Sequence, residues 1–219
     1  MSKEINAIEK QEINNLDKQI ADISSYDVKN MYQLAEIFIK SKAIPPSYNT
    51  PEKIIVGIQR AKELGLSPLA GLSNLPMING IPSPSVHLLV AKARQAGIRF
   101  TIVRDAEKIY EPVLDANGEP VIENGKPKMK ADLITTIRTS EFVNGRWFDN
   151  EISYRWSDAV KAGLADKDNW KKMPVIMMRN RALAIAARFA APEATLGLLS
   201  ADEVAEINNI DYVPSETIV

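Results

Sequence analysis

Residues 170–192 hold the densest group of side chains that could do chemistry, because five of them are basic and none is acidic. Lys172 and Arg179 stand seven positions apart, which places them on one stripe of an α-helix. Arg181 and Arg188 repeat this spacing and form a second stripe on the other side of the helix, since each residue turns it by about 100°. Ammonium and guanidinium groups in such rows suit contacts with phosphate oxygens. The segment therefore predicts a phosphate-binding helix.

Two interpretations of this helix are open at the level of sequence. Lys171 extends the basic group at its start, and the small residues Ala184, Ala187 and Ala191 flank its second stripe. Small neighbours would let a nucleic-acid backbone approach the helix, which would then contact phosphates and read no base sequence. The alternative is a core helix whose arginines pair with carboxylates elsewhere in the fold, or extend along its surface to water.

Two smaller basic groups accompany this helix: Lys126, Lys128 and Lys130 beside a predicted turn, and Lys92, Arg94 and Arg99 around the end of a predicted helix. The first group could clamp a nucleic-acid strand, or it could simply keep an exposed sheet edge soluble. The second could bind phosphates, but cations at a helix C-terminus also complement the helix dipole without any ligand. Trp147, Trp156 and Trp170 could stack on bases, although tryptophans at the start of strands and helices commonly belong to the core.

Several kinds of active site find no support in the residues present. The sequence has no Cys and a single His, His87, which argues against thiolate or His-pair metal sites, thiol nucleophiles and Ser-His-Asp triads. Neither GxxxxGK(S/T) nor GxGxxG occurs, so no Walker-type ATP site or dinucleotide fold is expected. We predict a protein that is not an enzyme and that binds no cofactor and no metal. The enzymatic alternative is a metal-dependent nuclease that uses Asp105 or Asp132.

The net charge of -1 hides an uneven distribution along the 219 residues, which contain 27 Lys and Arg and 28 Asp and Glu. Residues 41–192 contain 22 basic and 15 acidic residues, whereas residues 193–219 contain six acidic residues and no Lys or Arg. A basic centre with an acidic end is typical of nucleic-acid-binding proteins, although charge also varies by chance along a chain. The acidic end could cover a basic groove in the free protein.

Composition also bears on the cellular compartment. Apolar residues make up 45% of the sequence, which is enough for a globular core. No apolar run approaches the roughly 20 residues that span a bilayer, and the N-terminus is too charged for a secretory signal. Together with the lack of Cys, these features predict a cytoplasmic protein.

The order of predicted elements indicates an α+β fold with N-terminal helices, a central antiparallel sheet and a long basic C-terminal helix packed on the sheet. Helices are predicted at 3–25, at 28–42, after the capping residue Thr50, at 83–97, at 157–163, at 173–191 and after Ser200. Strands of an antiparallel meander are predicted at 98–104, 109–114, 120–122, 132–140 and 146–154, and a loop or short hairpin at 66–82.

Three regions follow from this order of elements. Residues 1–27 are predicted to form a helix with a narrow apolar seam that could contact another subunit. Residues 28–199 form the core. Residues 200–219 form a short helix and an acidic tail.

Short motifs spread over most of the chain resemble those of a known family. In the N-terminal half they are Gly65-Leu66-Ser67-Pro68-Leu69 and Leu75-Pro76-Met77-Ile78-Asn79-Gly80. In the C-terminal half they are Trp170-Lys171-Lys172-Met173-Pro174, Met178-Arg179-Asn180-Arg181-Ala182, Ala187-Arg188 and Pro192-Glu193. With these motifs, which span about residues 50–210, the chain resembles the RecT family of phage single-strand annealing proteins.

The resemblance implies ATP-independent binding of single-stranded DNA and annealing of complementary strands in phage-type homologous recombination, on rings or helical filaments of many subunits. The DNA would lie in a basic groove around the sheet and the long helix. The candidate DNA-binding residues are Lys171, Lys172, Arg179, Arg181 and Arg188, joined from the smaller basic groups by Lys126, Lys128, Lys92 and Arg94.

The implied partners are single-stranded DNA, the annealed duplex, further copies of the chain, and a phage exonuclease or host single-strand binding protein. The implied location is the cytoplasm of a bacterial host, with no membrane contact. A second class of function stays open, in which the chain is a non-catalytic oligomeric phage structural or adaptor protein that does not bind DNA.

Overall fold

A computed structural model describes residues 28–208 of the chain, and its fold is α+β, as predicted. The helix predicted at 3–25 and the acidic residues after 208 lie outside the described residues. The first elements are α1 (Val28–Ser41), α2 (Pro51–Glu63), α3 (Pro68–Asn74), β1 (Met77–Ile78), β2 (Ile81–Pro82) and α4 (Val86–Gln95). The strands that follow are β3 (Arg99–Pro112), β4 (Ile122–Glu123), β5 (Lys126–Pro127), β6 (Met129–Val143) and β7 (Arg146–Arg155). The last helices are α5 (Trp156–Lys161), α6 (Asp168–Lys172), α7 (Pro174–Ala190), α8 (Pro192–Thr195) and α9 (Ala201–Ile207).

Local capping determines where two of the predicted helices begin. The Thr50 hydroxyl accepts a hydrogen bond from the Lys53 backbone N–H at 3.4 Å, and Pro51 occupies the first turn of α2. At α9, the Ser200 hydroxyl accepts from the Glu203 N–H, and the Glu203 carboxylate accepts from the Ser200 N–H. Both predicted starts are confirmed.

The prediction of a loop or short hairpin at 66–82 is wrong for its first half, which forms helix α3. Pro68 suits the first turn of that helix. Gly71 lies against α2, where an added Cβ would stand 2.0 Å from the Cβ of Ala61. This glycine therefore allows two helices to pack closely instead of marking a loop. The second half of the segment does form a hairpin, β1–β2.

Strands β3, β6 and β7 form a three-stranded antiparallel sheet in that order, so the predicted central antiparallel sheet is confirmed. The strand predicted at 120–122 is not part of this sheet, because Ile122 pairs with Pro127 in the separate two-stranded hairpin β4–β5. The strands predicted separately at 98–104 and 109–114 are one strand, β3. Its pairing with β6 changes register around Ala106, whose φ is 50°. The Ala106 N–H donates to the Thr135 hydroxyl at 3.0 Å, so this irregularity interrupts the sequence pattern without ending the strand.

Helix α7 packs against both the sheet and α4. Its cluster includes Ile137 of β6 and Leu89 of α4, together with a series of alanines along α7. Ala184 and Ala187 are fully buried, and Ala191 beside them is 4% exposed. The expectation that these three alanines leave room for a phosphate backbone is therefore wrong. Their small side chains let the helix lie close to its neighbours inside the core.

Two further core clusters flank this one. In the first, α1, α2 and α3 pack around Tyr48, whose hydroxyl donates to the Leu75 carbonyl. In the second, the start of α7 packs around Trp170, which is fully buried. Helix α9 completes the described chain and places Val204 against Ile78. The long helix is thus held at both ends, with its N-terminal half beside β3.

Candidate nucleic-acid interface

Helix α9 encloses the two arginines of the second α7 stripe. Arg188 donates hydrogen bonds to the Glu203 carboxylate from Nη1 at 2.5 Å and from Nη2 at 2.7 Å. The Nη1 atom of Arg181 lies 3.4 Å from Glu203, and Arg181 also contacts Glu206. The side chains of Arg181 and Arg188 are 17% and 18% exposed, and that of Glu203 is 5% exposed. These two residues therefore fit the core-helix interpretation, in which arginines pair with carboxylates elsewhere in the fold.

The same cluster changes the pKa of its carboxyl groups in opposite directions. Burial raises the pKa of Asp202 to about 6, and its hydrogen bond from the Asn180 amide at 3.2 Å opposes the rise only in part. Burial also acts to raise the pKa of Glu203, but hydrogen bonds from Arg188 and the Ser200 backbone hold it below its ordinary value. Glu203 is thus the negatively charged partner of Arg181 and Arg188. DNA binding by these two arginines stays a prediction, and it requires their ion pairs with Glu203 to open.

Arg179 occupies a more open position on the first α7 stripe. It donates from Nε and Nη2 to the two oxygens of Asp105, at 3.1 Å and 2.5 Å, and both side chains are about one-third exposed, at 35% and 36%. The hydrogen bond with Asp105 raises the pKa of Arg179. Asp105 lies at the irregular part of β3. The ion pair between Arg179 and Asp105 therefore connects the sheet to α7.

Lys171 and Lys172 are the last two residues of α6; Met173 alone separates them from Pro174 at the start of α7, and both face water. The Lys172 Nζ is 2.9 Å from Asp168 and the Lys171 Nζ is 3.7 Å from Asp166, but all four side chains are more than half exposed. The first turn of α7 begins with Pro174 and contains no acidic residue. Two lysines therefore adjoin the positive end of a 17-residue helix dipole, which is a favourable environment for an anion.

Strand β3 adds a cation and an aromatic ring that sequence reasoning did not select. The Lys108 Nζ lies 5.2 Å from the centroid of the Tyr110 ring, and Tyr110 is 60% exposed. Both residues follow Asp105 on the same strand. Only Tyr110 falls within the strand predicted at 109–114, so the two-residue spacing of Lys108 and Tyr110, which places them on one face of β3, became visible only with the structure. An exposed ring of this kind can stack on a nucleic-acid base.

The two smaller basic groups lie on a hairpin and at a helix end. Lys126 begins β5, and the Nζ of Lys128 is 3.3 Å from Glu123 in the same hairpin. Lys92 and Arg94 occupy the last turn of α4. These positions also suit the alternative roles of edge protection and of complementing the helix dipole, and their binding of DNA stays a prediction.

The three tryptophans divide between core and surface. Trp170 is buried, donates from Nε1 to Glu206 at 2.7 Å, and packs 6.1 Å from the ring of Trp156. Trp170 belongs to the core and the half-buried Trp156 packs against it, as expected for tryptophans at the start of helices. Trp147 is 45% exposed, with the guanidinium of Arg99 lying 4.0 Å above its ring. Its exposure follows from its place near the end of a hairpin.

The acids proposed for a nuclease have structural partners. Asp105 holds Arg179, and Asp132 accepts from the Ser157 hydroxyl at 2.5 Å and from its N–H at 3.1 Å. Within residues 28–208, no three His, Asp or Glu side chains are placed together to hold a metal ion. No helix in this range is both long enough and apolar enough to cross a membrane. The described residues thus add nothing to the nuclease alternative.

No known family model, curated protein or solved structure matches the chain. The resemblance to the RecT family therefore stays an expectation drawn from short motifs. What the structure contributes is the geometry of the exposed cations before α7 and of the ring on β3.

Proposed function

We propose that this protein binds single-stranded DNA through its phosphate backbone and anneals complementary strands without ATP. The observation that carries the proposal is the exposed pair Lys171 and Lys172 beside the N-terminus of α7, whose first turn has no acidic residue. Cations, unpaired backbone N–H groups and the helix dipole combine there to attract phosphate. The proposal also draws on the motif resemblance.

The carboxylates now beside these lysines do not prevent phosphate binding. Asp166 and Asp168 are 97% and 70% exposed, so water and salt already screen their attraction for the lysines. The phosphate backbone of a DNA strand carries many negative charges and releases its counterions when it binds a protein. Exchange of an exposed carboxylate for a phosphate is therefore favourable at low salt.

The bases of a bound strand would have a place to stack on β3. Tyr110 presents an exposed ring, and Lys108 above it keeps a positive charge beside that ring. Stacking of this kind contributes about 1–3 kcal/mol per base and tolerates any sequence. A strand held by its phosphates keeps its pairing edges free, so a complementary strand can supply the specificity.

The proposal is tested by mixing two complementary oligonucleotides without ATP and following duplex formation by fluorescence over a series of salt concentrations. The parent protein should accelerate annealing. The Lys171→Ala/Lys172→Ala variant should lose most of the acceleration. Its plot of log affinity against log salt should become shallower by about 0.7 for each phosphate that the variant no longer neutralises.

Lys40→Ala/Lys62→Ala is the matched control, because it removes the same charge from α1 and α2. It should anneal like the parent. The proposal fails if the parent neither binds nor anneals single strands at low salt. If both double variants lose annealing activity equally, annealing by the protein stands but Lys171 and Lys172 are not its DNA-binding site.

A second candidate function is an oligomeric adaptor that does not bind DNA. One observation favours it, namely the exposed aromatic side chains at the end of the β6–β7 hairpin, which are suited to contacts with protein. Purified protein of this class would carry no nucleic acid, and its interactions would be insensitive to salt.

A further inference from the structure

Helix α9 is attached to the rest of the protein largely through charged groups. Its buried residues are two alanines, Val204, Asp202 and Glu203, and its apolar contact is one small cluster with Ile78 of β1. Buried ion pairs add little net stability to such a contact, because desolvation of both charges offsets most of their attraction. Release of the whole helix returns both partners of each pair to water, so it avoids the cost of leaving one charge buried alone.

The segment that leads into α9 is suited to act as a hinge. It comprises residues 196–199, of which Leu196, Gly197 and Leu199 are exposed. Leu196 and Gly197 have φ values of 52° and 62°, which lie in the left-handed region. A few residues of a loop can absorb the dihedral changes of a hinge motion. Rotation here would move α9 and leave α7 and α8 in place.

The carboxylate of Glu203 occupies a position where two guanidinium groups converge. Arg188 donates to both of its oxygens, at 2.5 Å and 2.7 Å, and Arg181 Nη1 lies 3.4 Å from it. Forked guanidinium donors bind phosphate oxygens with the same geometry. Helix α7 itself contains no acidic residue. Without α9, the two arginines would therefore form an anion-binding site.

Helix α9 also adjoins the exposed lysine pair at the end of α6. Glu206 contacts Arg181 and accepts a hydrogen bond from Trp170 Nε1 at 2.7 Å, and its backbone carbonyl accepts from Lys167 Nζ at 3.0 Å. Trp170 directly precedes the two lysines in the sequence. Displacement of α9 would thus extend the lysine surface along α7 to Arg181 and Arg188.

We propose that α9 is a displaceable cover whose carboxylates take the place of phosphates and leave when a single strand binds Arg181 and Arg188. The proposal rests on the proposed function, because it describes how the same DNA-binding surface is regulated. A strand reaches the exposed lysines first, and its following phosphates then compete with Glu203 and Glu206 for the arginines. The apparent affinity for DNA scales with the fraction of molecules whose cover is open.

Two neighbouring substitutions that remove the same charge should have opposite effects. Glu203→Gln removes the partner of both arginines, opens the cover and should raise affinity for a single-stranded oligonucleotide about tenfold near neutral pH. Asp202 is 6% exposed, and burial raises its pKa to about 6. Asp202→Asn therefore removes a buried charge, holds α9 more firmly and should lower affinity several-fold.

The direction of these two changes identifies the cover. A general effect of charge on DNA binding would raise both affinities equally, and a purely structural α9 would leave both at the parent value. Either result overturns the inference while annealing by the parent stands. If neither the parent nor Glu203→Gln binds single strands at low salt, the proposed function itself fails and the cover fails with it.

The lack of Cys in the chain allows a second test that leaves every charge in place. Asn79→Cys/Asn208→Cys replaces two exposed side chains whose amides are 3.1 Å apart, and a short cleavable bis-maleimide joins them. The locked protein should bind DNA more weakly, and its plot of log affinity against log salt should be shallower by about 1.4 for two lost phosphate contacts. Cleavage of the linker should restore both values. Equal binding by the locked and the cleaved protein would overturn the inference.

Discussion

At the scale of single residues, Arg188 and Lys172 show how the same kind of charge serves two purposes. Arg188 is mostly buried against Glu203, whereas Lys172 stands in water beside an equally exposed Asp168. A buried ion pair is costly to break from one side, because the remaining charge loses its partner in a poorly solvated place. An exposed pair can be broken with little effect.

Arg188→Ala should therefore act on stability. We expect a loss of about 3–5 kcal/mol in the free energy of unfolding, because Glu203 would stay buried without its main partner. Denaturant unfolding measures this, with Lys172→Ala as the exposed control that should stay close to the parent. The paired change Arg188→Met/Glu203→Gln should recover much of the loss. Equal stability of Arg188→Ala and Lys172→Ala would contradict the assignment.

Asp202 should make stability depend on pH. Its pKa is about 6 in the folded chain against an ordinary value of 3.8, so the folded chain binds more protons than the unfolded chain between these values. Stability from this group is full below the lower value and falls as pH rises toward the upper one. Asp202→Asn removes the charge and should gain stability relative to the parent across this range.

Denaturant unfolding of both proteins from about pH 4 to about pH 8 tests this expectation. Glu203 acts in the opposite direction, since its lowered pKa gives stability that is lost as pH falls, but it is present in both proteins. Their difference therefore isolates Asp202. A difference that stays constant with pH would show that Asp202 titrates normally.

At the scale of elements, helix caps and strand patterns could be predicted from the sequence because their causes are local. Thr50 and Ser200 mark helix starts by bonding to N–H groups three residues away. The turn at Asn144-Gly145 correctly predicts a hairpin because its backbone conformation favours those residues. Helix α3 escapes prediction because glycine usually interrupts a helix, and the role of Gly71 depends on Ala61 in another helix.

The candidate site, like the elements, could be predicted from the sequence only where its causes are local. The helical spacing of Arg181 and Arg188 predicts their shared stripe, but not the acids that meet it. Glu203 reaches Arg188 only after α8 and the turn beyond it reverse the chain, and no local pattern encodes that return. Lys171 lies in the last turn of the short helix α6, which the sequence analysis did not predict.

At the scale of the whole molecule, DNA binding and contacts between copies would reinforce each other. If neighbouring copies touch while each holds part of one strand, binding of the second copy becomes partly intramolecular. Linked binding of this kind can raise apparent affinity by about 10²–10⁴ without any new DNA contact. Affinity should then increase with strand length beyond what the number of available sites explains.

A length series of oligonucleotides separates the two contributions. Lys171→Ala/Lys172→Ala should weaken binding at every length and keep that extra affinity, because its contacts between copies are intact. If the affinity of the parent does not rise with strand length beyond the number of available sites, contacts between copies contribute nothing to DNA binding.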